Sequence, residues 1–500
     1  MGKKSRHSAN KAGAAARSTA VSTGPGREPE NVLEGALAEL WKSIAAGDVL
    51  NAEFQTSAFV ALPELTDGSP EQTETLADAL IDAASNHPSG TDGSEAAAFC
   101  RLLMSLGSRS VKRAASQALA DFTGDEIYPP GWVTSIGKPA PGRAWRQYDV
   151  FGEREVIAVT FSYSGAEHAL LVAIDLAELP TVGMIAMGDN PEGMLKTLQD
   201  HAEPYQRFEE ITLAEARGRI AGPLARAGDD PDYELDGSSN LFLPLARSRV
   251  RRLPAADPGQ AVAYTAADRA AAVEEFLGSP GASDAGDLDV ARFWATVLTG
   301  YSSRVPNEQP AQVGPHKIAA MLLVHAAGTF TLTAAQRDGL GPAVTAWTRW
   351  AAGRLGLDEA ATDVVMTRLP QILDDFPEAY DHPYSAASRR YLGDVATPDV
   401  DLRWLADELA RREFAAPLPG DRDPSTDGID ATDSHGRAEI AVAEFAECGD
   451  GGADTIRLLT AVPRIVEEIW HNNPATTWEK AQKLLADGHD RHNVLHRLAG

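Results

Sequence analysis

The chain has 500 residues, 43% of them hydrophobic and 23% charged, a length that suggests about three domains and a composition rich enough in apolar side chains to fold. Its formal charge of -27 sets up a field that repels nucleic acid and anionic membrane, so any contact of that kind must be local. Two distant cysteines, Cys100 and Cys448, exclude a disulfide framework and fit a reducing cytoplasm, and no stretch approaches about 18 uninterrupted apolar residues, so no membrane span is expected.

Residues 1–30 are rich in Ala, Ser, Gly and basic side chains and nearly devoid of large apolar ones, so they read as a disordered basic tail without the apolar core of a signal peptide. Its cations, Lys3, Lys4 and Arg6 foremost, are where the chain would touch nucleic acid, through phosphates and without sequence preference. Residues 31–125 read as a helical domain. "NVLEGALAELWKSIAAGD" sets Val32, Leu33, Leu37, Leu40, Trp41 and Ile44 on one face with Asn31 as a cap, and "PEQTETLADALIDAASNHP", "SEAAAFCRLLMSLGS" and "SVKRAASQALADF" repeat the spacing.

The texture changes near Tyr128. "EVIAVTFSY" and "HALLVAIDL" are β-branched runs joined by a short glycine-containing turn, which predicts a hairpin. Both runs are almost continuously apolar, so the sheet should be covered on both faces, with "ITLAEARGRIAGPLARA" as one covering helix, in a small α/β domain over 128–255. His168, just after the turn, reads as half-exposed or as a site residue at a strand start. Arg247, Arg249, Arg251 and Arg252 fall on different faces of a helix, which suits a solvated helix end better than a phosphate site.

Residues 260–415 form a second helical domain, with apolar residues recurring at three and four. Trp347 and Trp350 look like packing anchors in it, and His316 and His325 like satisfied histidines. The segment 416–437, "APLPGDRDPSTDGIDATDSHGR", reads as a flexible acidic linker. Asp423, Ser425, Asp427 and Gly428 open like a calcium loop, but Asp430 occupies the apolar eighth position and Ser434 the twelfth, where a bidentate Glu belongs.

No phosphate-cradling glycine loop, nucleophile elbow or zinc helix is present, and acidic pairs such as Glu467/Glu468 or Asp374/Asp375 mean nothing without geometry. The final unit, 438–500, predicts a helical hairpin ending in "GHDRHNVLH". Asn473 can cap its first helix, Pro474 suits the first turn, Gly488 can close that helix in the left-handed conformation, and Asp490 can cap the next. His492 and His496 are then one turn apart, a spacing that lets two imidazoles share one metal, with His489, His471, Glu467 and Glu468 as further donors. The same two histidines can equally pack and hydrogen-bond across the hairpin, or serve some other polar or catalytic use.

"NNPATTWEKAQKLLADGHDRHNVLHRLAG" resembles the end of a bacterial family, domain of unknown function 1841, and of larger actinobacterial proteins sharing that ending. Pro474, Trp478, Leu484, Leu485, Gly488, Asp490, Arg491, His492, Leu495 and His496 carry the match, over about the last 45 residues. The resemblance implies a histidine pair on the preceding helix, where this chain has "IRLLTAVPRIVEEIWH" and no histidine before His471. It implies no activity.

The expected fold is mainly α-helical and multi-domain with a small central α/β unit, in a protein of high-GC bacterial composition. Without a complete catalytic constellation the function leans away from an enzyme and toward an interaction or regulatory protein whose partner is another protein. The alternative is a metal-binding protein or metal-dependent enzyme using the C-terminal histidines, a divalent metal being the only cofactor these residues suggest. A weaker one is association with nucleic acid through the tail.

Overall fold

The structure, a computed structural model, describes residues 29–65, 94–122, 131–163, 166–227, 235, 237–256, 264–304, 309–446 and 453–500. Lys3, Lys4 and Arg6, the helix expected at 70–88, and Cys448 lie outside the described residues. The fold is mainly helical with one small five-stranded sheet, and the chain divides into two compact units, 1–260 and 261–500. The expected 31–125 helices and 128–255 α/β segment share the first unit. The expected 260–415, 416–437 and 438–500 segments share the second.

In the first unit, helices α1 (Pro29–Ala46), α2 (Val49–Leu65), α3 (Ser94–Leu106) and α4 (Arg109–Phe122) gather Leu40, Ile44, Phe59, Phe99, Leu102 and Leu103 into one core. Each such side chain contributes about 1.5–3 kcal/mol when fully removed from water. α1 begins two residues before Asn31, which is therefore inside the helix and not its cap.

The sheet has the order β4-β3-β2-β1-β5 and is antiparallel throughout: β1 (Ala140–Asp149), β2 (Arg154–Tyr163), β3 (Ala166–Asp175), β4 (Thr181–Gly188) and β5 (Gln206–Ile211). β2 and β3 are the expected hairpin, with Tyr163 opposite Ala166 and Phe161 opposite His168. Alternation sends Ile157, Val159, Phe161, Leu170, Val172 and Ile174 to one face, where α6 (Leu213–Arg226) and α7 (Gly237–Val250) cover them. Ala158, Ala169 and Leu171 face the other way, against Met194, Leu195 and Leu198 of α5 (Pro191–Asp200).

α2 packs along α7, and the two are spliced together at a proline. Ser57 Oγ donates to the Leu241 carbonyl at 2.6 Å and accepts from the Leu245 N–H at 3.2 Å. Those are the two groups an unbroken helix would join to each other, so the serine stands in for one helical bond beside Pro244.

The second unit contains α8 (Ala266–Leu277), α9 (Leu288–Thr299), α10 (Pro315–Ala319) running into a π-helical stretch at Ala320–Ala326, α11 (Ala334–Asp338), α12 (Leu340–Leu355), α13 (Glu359–Asp381), α14 (Pro383–Leu392), α15 (Leu402–Ala415), α16 (Ser434–Phe445), α17 (Ala453–Trp470), α18 (Ala475–Ala486) and α19 (Arg491–Ala499). Trp347 and Trp350 are packing anchors, both against Phe276 with ring centroids at 5.2 and 5.6 Å. The 416–437 segment is not the flexible linker its composition suggests. Ala416, Leu418 and Ala431 are buried in the C-terminal core, and Arg422 donates to the carbonyls of Asp427 and Ile429, so the acidic side chains line the outside of a packed turn. Among the described residues no helix is long and apolar enough to cross a membrane.

Candidate functional site

The residues of the "GHDRHNVLH" stretch take separate structural posts. Gly488 closes α18 at φ +86°, a conformation that favours glycine. Asp490 caps α19, its Oδ1 accepting from the Asn493 N–H at 2.8 Å, and the cap bond holds its carboxyl below the usual range. Arg491 reaches across to the end of α15, where its Nε donates to the Phe414 carbonyl at 2.6 Å and its Nη2 to that of Ala415 at 3.1 Å, while Nη1 pairs with Glu444. His492 lies flat on Phe445, centroids 4.3 Å apart and planes 8° apart, with Nδ1 3.7 Å from Glu444. His496 is exposed and His489 half-exposed.

At the opening of the hairpin, α18 starts at Ala475 with Pro474 in the capping position and no side-chain cap from Asn473. The six proposed metal donors do not converge. Glu467 is held by both nitrogens of the Arg437 fork, at 2.6 and 2.8 Å, with the exposed His471 3.5 Å from it. Glu468 pairs with Arg464 and accepts from the Thr477 hydroxyl at 2.8 Å. Among the described residues no group of three or more His, Cys, Asp or Glu side chains could hold a metal ion. The reason is electrostatic: arginines have taken the carboxylates that a metal would need. Arg437 itself is buried, donates to the Ala431 and Thr432 carbonyls and covers the Trp470 ring at 4.3 Å. Arg411, also buried, caps the end of α17 through the Ile469 and Trp470 carbonyls.

The chemistry-bearing cluster that the sequence did not reveal lies in the first unit. Glu53 of α2, His168 of β3 and Arg249 of α7 are each 0% exposed. Arg249 Nη2 meets Glu53 Oε2 at 2.5 Å and its Nε donates to His168 Nε2 at 2.9 Å. The Tyr163 hydroxyl donates to the same carboxylate, 2.9 and 3.0 Å from its two oxygens. A third donor to the carboxylate is the Gly137 N–H, 2.9 Å from Oε1; Gly137 sits at φ +68°, and a Cβ there would come within 2.4 Å of Ser105 Oγ.

Protonation states follow from these partners. Burial, helped by the neighbouring guanidinium, pushes His168 down to about 3, so the ring is neutral. Because Nε2 accepts from Arg249, the proton must sit on Nδ1, which is buried without a hydrogen-bond partner, as is Arg249 Nη1. Burial pushes the Tyr163 phenol up, with Arg249 working against that and Glu53 adding to it, so the hydroxyl stays a donor. Phe161 and Tyr163 stack on the His168 ring at 5.5 and 5.9 Å.

The half-exposed histidine expected at 168 is thus fully sealed, and so is one of the four arginines expected at a solvated helix end. Arg247 instead donates to the Leu224 carbonyl, and Arg251 and Arg252 are the exposed members. A signal for His168 was present: positions 168, 170, 172 and 174 share one face, so the imidazole continues a stripe of Leu, Val and Ile. Nothing comparable marks Glu53. With no solvent path to any of its charged atoms, this cluster acts on the protein itself, latching α2, the β2–β3 hairpin and α7 together.

Comparison of the chain with family models, with curated proteins and with solved structures found no match.

Proposed function

We propose that the protein is a non-enzymatic interaction or regulatory protein that binds another protein through its second unit. The observation that carries this reading is Trp404. It stands 46% exposed on α15, whose opposite side is anchored by buried Leu402, Leu405 and Phe414. A tryptophan presented to water on a firmly seated helix is the side chain that most often anchors a protein interface, because it buries a large rigid area at little cost in rotamer freedom. The way the ionisable groups are spent supports the same reading. The Glu444, Glu467 and Glu468 carboxylates are engaged by arginines, and the Glu53–Arg249–His168 set is sealed from any substrate.

A photo-crosslinking amino acid placed at position 404 in the producing bacterium tests it. The expected result is a discrete adduct with one protein, absent when the crosslinker is moved to the exposed Arg497 on α19. No adduct at 404, or the same smear from both positions, would overturn the reading.

A further inference from the structure

In the second unit a cavity of about 350 Å³ opens between the start of α12 and the last turns of α13, a size at the lower end of small-molecule sites, about 300–1,000 Å³. Its floor is made by the buried side chains of Leu340, Phe376 and Tyr380. Two exposed side chains of opposite charge, Arg337 and Asp381, complete the lining at the mouth. The backbone beside them includes a carbonyl that lacks its usual helical donor. Pro377 has no N–H to give the Leu373 carbonyl four residues earlier, and both residues line the cavity.

The walls are fixed in advance of any ligand. Thr333 and Gln336 form a reciprocal capping box at the start of α11, the short helix that carries Arg337. Trp294 Nε1 donates to the Gln336 carbonyl at 2.9 Å, and the Leu332 N–H donates to the Tyr380 hydroxyl at 3.0 Å. The strap bearing the cation is therefore tied to α9 on one side and to the floor on the other. Arg389 stacks over the Tyr380 ring at 3.7 Å and holds it in place. At the α12 end, a Cβ built on Gly341 meets nothing within 4 Å, so the open space reaches its backbone.

The geometry points to a binding site for a small zwitterion with a large apolar body, an amino acid or dipeptide. Its carboxylate meets the Arg337 guanidinium, its ammonium meets Asp381 and the Leu373 carbonyl, and its apolar side chain lies over Phe376 and Tyr380. Unlike charges at one mouth above an aromatic floor suit a ligand that carries both charges on one apolar frame. A purely anionic or purely cationic molecule would engage only one of the two. This site goes beyond the protein-binding reading and stands without it.

Calorimetric titration of the full chain with L-phenylalanine and with the dipeptide Leu-Phe tests the proposal, against 3-phenylpropanoate and phenethylamine, which carry one charge each. At least one zwitterion is expected to saturate with a Kd below about 1 mM, and each single-charge analogue to bind about tenfold more weakly or worse. Gly341→Leu puts a side chain into the open space at a helical position and is expected to weaken the zwitterion about tenfold or more while leaving the thermal midpoint near that of the parent. Arg337→Gln, an exposed change that decides the matter should the glycine variant misfold, is expected to weaken the zwitterion and the propanoate by about fivefold and to leave phenethylamine unchanged. Absence of saturable binding by both zwitterions up to about 10 mM overturns the site. So does binding untouched by either substitution, and equal affinity for the single-charge analogues overturns the ligand class.

Discussion

Two buried arginines, one in each unit, show how differently the same side chain can be used. Arg249 is sealed with Glu53 and His168, all without exposure, and the three belong to elements far apart in the chain. Arg437 is as deeply placed, but its carboxylate partner Glu467 keeps 30% of its side chain exposed, and its remaining donors go to nearby carbonyls. The first pair cannot fall back on water when broken; the second can. Burial of the partner, more than burial of the arginine, sets how much each unit depends on its pair.

The sharpest way to break this comparison is to remove both guanidiniums. Arg249→Met strands Glu53 as a buried charge and should cost the first unit about 3–5 kcal/mol. Arg437→Met lets Glu467 turn toward solvent and should cost the second unit about 2 kcal/mol, most of it from the carbonyls of Ala431 and Thr432. Hydrogen exchange of peptides from α2 and from α17 under increasing urea separates the two units. A loss at Arg437 equal to or above that at Arg249 would contradict the argument.

Acid sharpens it further. The folded His168 ring takes a proton only near pH 3, whereas in the unfolded chain it does so near its ordinary 6.5. The folded state therefore binds fewer protons between those values. Its contribution to stability is complete above about 6.5 and is lost as the pH falls, by up to about 1.4 kcal/mol per pH unit. His168→Gln should flatten the urea midpoint of the first unit against pH over that window. An unchanged slope would show that the ring does not stay neutral in the fold.

The smallest effects belong to the three-histidine stretch. His492→Ala loses the stack on Phe445 and should cost about 1 kcal/mol, while His496→Ala, exposed on the next turn, should leave the thermal midpoint of the second unit where it was. A larger effect at His496 than at His492 would reverse the assignment.

These contrasts also explain what could be read from the residues alone. The hairpin was legible because Val156–Val159 and Leu170–Ile174 are apolar and partly β-branched around a glycine turn, and Gly488 and Asp490 were legible because helix ends use local chemistry. β1 and β5 were not. Each carries charged residues on an exposed side and β1 opens with Pro141 and Gly142 before a register shift, so their strand character comes from pairing with neighbours. α2 was not singled out either. Its apolar residues run all round the helix, and Glu53 inside that run gives no sign of its partners, which lie 84 to 196 residues away in sequence. The acidic turn at 416–437 misled for a related reason. Composition reports the side chains that face water, and here it hid the few alanines and the leucine that face inward. The "DRH" stretch was correctly placed but its roles were not, because which carbonyls Arg491 would reach depends on where α15 ends in space.

The separation of 196 residues between Glu53 and Arg249 has a meaning for the order in which the protein is made. At synthesis rates of about 5–20 residues per second, the α2 carboxylate leaves the ribosome roughly 10–40 s before the guanidinium that will neutralise it. For that interval α2 cannot settle into its final seat, since an ionised group resists leaving water before its counter-charge arrives. The helix α7, the last described in the first unit, is therefore the one that lets α2 dock, and the N-terminal helices mature from behind.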